Sequence, residues 1–382
     1  MSKEFKDLKV AIVHDWIYKV RGGEKCVETF CKIFPQADFY AMFGDMNTIA
    51  EAPIIADRKV TFSILNKIPF IKKFYRYTYF LWPMVIENFD LRGYDLVIST
   101  SACISKGVIT DVNTPHVCYM FTPMRYAWDQ SRDYFNPKNF SWWKRMVIPF
   151  FLHFIRIWDV TSTARIDYLV PISNFVKKRI IKYYRRTPDP IIFPPVYVDR
   201  AKYDNPKQDY YFAIAPFEPN KGGRLMVETA MREGFNLKIM GEGSMKKELE
   251  KLSKDHKNIE YLGWLSEDQK WDYLSRAKGF LFCGVEDFGI VPLEAIASGT
   301  PVVAYKMGGA LDYIREGENG TFFTEQSPDG LKEAIDRIEK FYSEGKFNVR
   351  SMNEFAKGFS QERFIEEFSA FFKKVLDEFR RN

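Results

Sequence analysis

The chain is poor in the residues from which metal and disulfide sites are built. Its five cysteines, Cys26, Cys31, Cys103, Cys118 and Cys283, form no Cys-x-x-Cys pair and show no metal-type spacing. That excludes a disulfide scaffold and a zinc ribbon, and it predicts buried thiols in a reducing compartment. Asp-x-Asp does not occur, and no Gly-x-Gly-x-x-Gly is complete. The most apolar stretch, Met146 to Ile155, falls well short of the ~20 residues that a membrane-crossing helix requires. The first residues, MSKEFKDLKVAIVHDW, lack the apolar core of a signal peptide, so the expected location is the cytoplasm.

What is present describes a globular protein in two parts. A chain of 382 residues exceeds one ordinary core, which makes two domains the natural expectation. The 35 Phe, 21 Tyr and 8 Trp make it unusually aromatic. The net charge of +6 hides an asymmetry: residues 1–200 hold 29 Lys and Arg against 19 Asp and Glu, whereas residues 201–382 hold 27 against 31. A basic front half predicts an anionic partner, such as a phospholipid surface, a lipid pyrophosphate or an acidic polymer. Residues 62–89 and 140–158 interleave Lys and Arg with Phe, Tyr, Trp and Ile. They read either as segments resting on a membrane or as aromatic helices packed inside a large domain.

Short apolar runs alternate with helical patterns along the chain. Strands are expected at Val10–Val13, Asp95–Ser99, Val117–Tyr119 and Tyr168–Pro171, then at Tyr211–Ala215, Asn236–Met240, Ile259–Trp264, Gly279–Cys283 and Pro301–Tyr305. Alternation at this pace implies a parallel sheet with helices on both faces, twice over. His14 lies at the carboxyl end of the first strand, where open parallel sheets build their sites. Gly22-Gly23 would let backbone approach a phosphate, although such a pair is more often a plain turn. Ser173 is placed to cap the basic helix that follows it, and Gly241 marks a turn with a ligand-facing position; both are candidates for contact with a bound donor. The last segment, Glu362 to Arg381, carries an aromatic stripe of Phe364, Phe368, Phe371 and Phe372.

The most informative stretch is Gly279 to Tyr305, GFLFCGVEDFGIVPLEAIASGTPVVAY. It reads as strand, acidic glycine loop, short helix and strand, with Pro292 in the helix's first turn and Gly299 just past its end. A helix opening beyond the carboxyl end of a strand presents backbone N–H groups to an anion. Glu286 and Glu294 would repel a phosphate, so they fit sugar or ribose hydroxyls instead. Taken singly, each could equally be a favourable charge near a helix start or a solvated loop residue.

These residues resemble a glycosyltransferase of family 4, in the two-domain fold known as GT-B, over almost the whole chain. Glu286 to Ala295, EDFGIVPLEA, is similar to the family's pair of glutamates with seven residues between them. Glu218-Pro219-Asn220-Lys221, Ser173-Asn174, Phe193-Pro194-Pro195-Val196 and Gly308-Gly309 add to it. His14-Asp15-Trp16 with Gly22-Gly23-Glu24, and Thr122 to Tyr126 with Trp128-Asp129, are similar to a mannosyltransferase-like branch of O-antigen and capsule polysaccharide synthesis. The resemblance implies an α/β fold of two Rossmann-like doubly wound domains facing across a cleft. The first, on the acceptor side, would comprise residues 1–198 plus about 360–382, with the C-terminal helix returning to it. The second, residues 199–359, would bind the nucleotide-sugar.

The implied activity is transfer of a hexose, with mannose as first guess, from a GDP- or UDP-sugar to a lipid-linked or polysaccharide acceptor. It would proceed with retention and without a metal or other cofactor, at the inner face of an anionic membrane, with no nucleic acid partner. Glu294 would hold the ribose and Glu286 the donated sugar, which His14 could also contact. Lys221, the N–H groups near Gly289 and Ile290, and Gly22-Gly23 would face the diphosphate. Pro216 stands where the family usually has Arg, and Phe121 where it usually has His; Arg224 or Arg125 could restore the missing charge. Those departures keep open a catalytically weak or inactive nucleotide-sugar-binding partner of another transferase, and more remotely an epimerase.

Overall fold

The computed structural model describes residues 5–18, 22–50, 53–135, 141–214, 217–218 and 221–381. Pro216, Pro219, Asn220 and Arg21 lie outside the described residues. Two compact units emerge, residues 1–195 with 364–382, and residues 196–363.

The first unit is built on strands β1 (Val10–Ile17), β2 (Asp38–Gly44), β3 (Val60–Phe62), β4 (Leu96–Ser101), β5 (His116–Met120) and β6 (Tyr168–Pro171). They form one parallel sheet in the order β3-β2-β1-β4-β5-β6. The second unit repeats the plan with β7 (Tyr211–Ile214), β8 (Leu237–Met240), β9 (Ile259–Gly263), β10 (Gly279–Phe282), β11 (Val302–Tyr305) and β12 (Gly320–Phe323). Its order, β12-β11-β10-β7-β8-β9, is the same topology. Each sheet reverses its winding once, between β1 and β4 and between β7 and β10, and such a switch point is where doubly wound sheets hold ligands.

Runs such as Val10-Ala11-Ile12-Val13 are buried on both faces because helices cover both sides of the sheet. Three strands carried no clear sequence signal. β3 and β12 are short edge strands, and the Phe39-Tyr40-Ala41-Met42-Phe43 core of β2 has no β-branched residue to separate strand from buried helix. The five cysteines are all buried free thiols.

In the first unit, the stripe on the terminal helix Gln361–Arg381 seats against the helix Gly22–Ile33. Phe30 meets Phe368 at 4.8 Å and Phe364 at 5.2 Å, and Phe34 meets Phe372 at 5.1 Å, with rings tilted or edge-on as aromatic quadrupoles prefer. The helix Trp142–Ser162 is pinned by a buried ion pair, Lys106 Nζ to Asp159 Oδ1 at 2.9 Å. Trp128 Nε1 donates to the other Asp159 oxygen at 2.7 Å. Among the described residues no helix is long and apolar enough to cross a membrane.

Candidate active site

In the second unit, four loops at the carboxyl ends of the strands are fastened to one another. The Lys221 turn lies directly on the β10 loop. Gly222 has φ +72°, and a Cβ there would come within 2.5 Å of the Cys283 Cβ. Only glycine both adopts that backbone and leaves the space. The result places Lys221 Nζ 2.5 Å from Glu286 Oε1, two residues 65 positions apart in sequence.

The acidic loop is held from its other side by the turn after β11. Gly309 N–H donates to the Glu286 carbonyl at 2.9 Å, and a Cβ on Gly308 would lie 2.5 Å from the same oxygen. Gly289, at φ +86°, caps the helix Ile290–Ala297, while Tyr313 Oη donates toward its carbonyl at 2.9 Å. Pro292 sits in the first turn, and Gly299 follows the helix with φ +67°. The first-turn N–H groups of Ile290 and Val291 have no acceptor within the helix, the arrangement that suits an anion.

One turn into that helix, Glu294 is almost completely buried, and its partner is a residue the sequence reading missed. Lys270, a residue only 6% exposed, places its Nζ 3.0 Å from both Glu294 oxygens and 3.0 Å from Glu267 Oε2. Lys270 belongs to the helix Glu267–Arg276, whose buried face carries Trp271 and Leu274. A lysine at i−1 and i−4 to those apolar positions stands on the buried face, and that spacing was the available signal. A carboxylate has about four acceptor positions, so one such group can accept from an ammonium and from hydroxyl donors together.

Other expected residues sit differently. Arg224 is turned to the surface, with Glu228 Oε1 at 2.7 Å and Glu248 Oε1 at 2.8 Å, so it is engaged by carboxylates of its own surroundings. Gly241, at φ +154°, bonds to the Gly263 carbonyl at 3.1 Å. The residues after it are stitched to the β7 loop by Phe217 N–H to Glu242 O at 3.1 Å and by Ser244 Oγ to Glu218 at 2.8 Å. Among the described residues no group of three His, Cys, Asp or Glu is arranged to hold a metal ion.

The first unit gathers His14, Gly22, Gly23 and Phe121 at its own switch point. Thr100 Oγ1 donates to the Val13 carbonyl at 3.4 Å and so accepts from His14 Nδ1 at 2.7 Å. Nε2 faces Glu24 Oε1 at 3.7 Å, in the first turn of the helix Gly22–Ile33. Burial opposes a charge on His14, but the hydrogen bond and charge of Glu24, the charge of Asp15 and the Thr100 contact outweigh it, and the pKa is raised above 6.5. The pair therefore contributes stability that is fully present below about pH 6.5 and is lost as pH rises through the higher folded value. An NMR titration of the His14 ring should give a midpoint above 6.5, and the stability lost in His14→Gln should shrink toward alkaline pH. A midpoint below 6.5 would contradict the pairing.

Phe121 fills the neighbouring space, edge-on to His14 with ring centres 6.3 Å apart and 3.3 Å from where a Gly23 Cβ would be. Asp15 is a latch: its carboxylate accepts the Ala102, Ile104 and Ser105 N–H groups, each at 2.7 Å. Thr122 and Asp129 are both tied to the buried Arg179, at 2.6 and 2.5 Å. Ser173 caps the helix Asn174–Tyr184 through Val176 N–H at 3.0 Å, three strands away from β1 in the sheet. His116 is at the amino end of β5, and burial, helped by Arg165 and Arg186, pushes it down to about 3, so it is neutral. A cavity of about 1230 Å³ in the same unit, lined by Asp38, Tyr40 and Tyr94, opens at the amino ends of β1 and β2, the end opposite the switch point.

Two parallel doubly wound sheets of this topology constitute the GT-B fold. Anabaena HepE in complex with UDP superposes with a TM-score of 0.71 over 96% of this chain and 100% of that one, at 15% identity. Within that fold, residues 198–350 match the family described as glycosyl transferases group 1. The chain is 32% identical over 149 residues to the lipopolysaccharide core biosynthesis glycosyltransferase LpsE of Rhizobium meliloti, covering 37% of this chain and 43% of LpsE. It is 25% identical over 278 residues to the alpha-1,3/1,6-mannosyltransferase ALG2 of Saccharomyces cerevisiae, covering 56% of this chain and 55% of ALG2. The chain thus spans about half the length of these curated relatives.

Proposed function

We propose that the protein is a retaining glycosyltransferase that moves a hexose from a nucleotide-sugar to a lipid-linked or polysaccharide acceptor. The observation that carries the reading is the pairing of Lys221 with Glu286 beside the helix that bears Glu294, at the β7/β10 switch point. In this reading Glu294 accepts the ribose hydroxyls and Glu286 those of the sugar. Lys221 and the N–H groups of Gly289 and Ile290 meet the diphosphate. The bond between the anomeric carbon and the diphosphate oxygen breaks, and the acceptor oxygen bonds to the same face. The acceptor's proton passes to the departing diphosphate, so neither a protein nucleophile nor a metal is invoked. Developing negative charge is met by a fixed cation, whose effect is largest in a site preorganised for it.

Mannose is the first choice of sugar, supported by the similarity to ALG2, and GDP is the corresponding base, with UDP as the alternative. A cytoplasmic location at an anionic membrane completes the proposal, supported by the excess of cations in residues 1–200. A thermal-shift screen of UDP-, GDP-, ADP- and dTDP-sugars tests it, because a ligand that binds only the folded state raises the melting temperature by mass action. One nucleotide class should raise it while the others do not. A flat response to all of them would refute the donor assignment.

Phe121, packed against His14 and Gly23 where a polar residue was expected, favours a second reading: a nucleotide-sugar-binding partner with weak or no transfer activity. Calorimetric binding of the donor without hydrolysis or transfer over long incubation distinguishes it.

A further inference from the structure

The helix Trp142–Ser162 is apolar on two opposite faces, and only one of them is covered. Leu152, Ile155 and Asp159 point into the first unit and are at most 5% exposed. Trp142, Met146, Phe150, Phe154 and Ile157, at helical spacings of four and three, form a second stripe that is 48–74% exposed. An apolar face left open along four turns is not explained by the folding of the unit. Nor can the helix roll to hide it, because the buried Lys106–Asp159 pair fixes the inner face.

A second segment continues the surface. Phe80 packs on Phe151 at 5.3 Å, joining residues 64–86 to the flank of the helix. From that segment Phe70 projects with 76% of its surface exposed, whereas the exposed Ile64 and Met84 line the cavity described above. Phe70 does so from a left-handed backbone, φ +60°, a conformation unfavourable for a bulky aromatic residue. Strain of this kind persists where the surroundings enforce it and clusters at functional places. The charges of the two segments agree. Residues 62–89 and 140–158 hold seven Lys or Arg and one acid, Glu87. That acid is already engaged by Arg165 and Trp158.

We infer that this face lies on an anionic phospholipid surface, with the helix Trp142–Ser162 parallel to the bilayer plane and its aromatic stripe in the headgroup region. A helix with Trp and Phe along an exposed side and with Lys144, Arg145 and Arg156 in its sequence has the make-up of an interfacial element, and it is not long and apolar enough to span. Lys67 and Lys73, both exposed, would meet lipid phosphates. The inference rests on the membrane part of the function proposed above. Its test needs no turnover, so its failure is distinguishable from failure of donor binding or transfer.

The full chain should co-sediment with vesicles of phosphatidylcholine containing about 30% phosphatidylglycerol, less in high salt, and much less with phosphatidylcholine alone. The double variant Phe150→Glu/Phe154→Glu should lower partitioning by about tenfold or more without changing the melting temperature. If that variant melts early, Phe70→Glu on the separate segment serves the same purpose. A wild type that stays in the supernatant with both vesicle types at low salt overturns the inference, as do variants that bind like wild type. Light scattering that finds a dimer broken by Phe150→Glu/Phe154→Glu also overturns it, assigning the face to a second copy of the chain.

Discussion

Lys221→Ala is expected to lower kcat for sugar transfer by about 10²–10³-fold, with a smaller change in KM for the donor. The reason lies in the timing of charge. Before reaction Lys221 is neutralised by Glu286 at 2.5 Å. An arriving diphosphate offers it a second anion, and the negative charge on the leaving oxygen grows as the glycosidic bond breaks. A cation that acts mostly on developing charge appears in kcat more than in binding. Lys221→Arg should recover only part of the loss, because a planar guanidinium does not replace a compact point charge in a turn packed this closely on Cys283. Single-turnover transfer with the preferred donor reads the effect directly. Normal turnover of Lys221→Ala would falsify the assignment of the leaving-group side of the site.

Lys270→Met is expected to destabilise the fold by about 3–5 kcal/mol, the cost of leaving a buried carboxylate without its counter-charge. Glu294 is 2% exposed, so water cannot take over from the ammonium. The deficit relative to wild type should shrink as pH falls. A carboxylate buried without a cation is relieved of that cost when it takes up a proton. The double variant Lys270→Met/Glu294→Gln eliminates both charges and should restore most of the stability in denaturant unfolding. It should not restore donor affinity if Glu294 receives the ribose hydroxyls. Recovery of both together would show that the pair is purely structural, and no destabilisation in the single variant would remove the pair from the account.

Much of this was readable in advance, and what was not has physical causes. The alternation of apolar runs with helical patterns foretold both sheets, since a parallel strand buried on two faces must be continuously apolar. Pro292 and Gly299 bracketed the helix Ile290–Ala297 correctly because each is favoured at one end for a backbone reason. Lys270 was not found because it lies in a run of polar and charged residues, Glu267-Asp268-Gln269-Lys270, that looks solvated. Only its spacing to Trp271 and Leu274 gives away the buried face. Arg224 illustrates the reverse: a guanidinium near the right turn in sequence, carried by its helix toward Glu228 and Glu248. The aromatic segments 62–89 and 140–158 were ambiguous between packing and membrane contact. The structure gives the ambiguity a basis, because the helix Trp142–Ser162 has an apolar face of each kind.

The terminal helix has a consequence for how the protein is made. Phe364, Phe368 and Phe372 supply part of the aromatic core around Phe30 and Tyr119, yet they follow residues 196–363 in the chain. On a ribosome, the amino-terminal part must therefore wait with an unfilled core while the whole contiguous unit behind it emerges and closes. The usual order of vectorial folding, amino-terminal domain first, is inverted, and the seam on which completion depends leaves the exit tunnel only after residues 196–363.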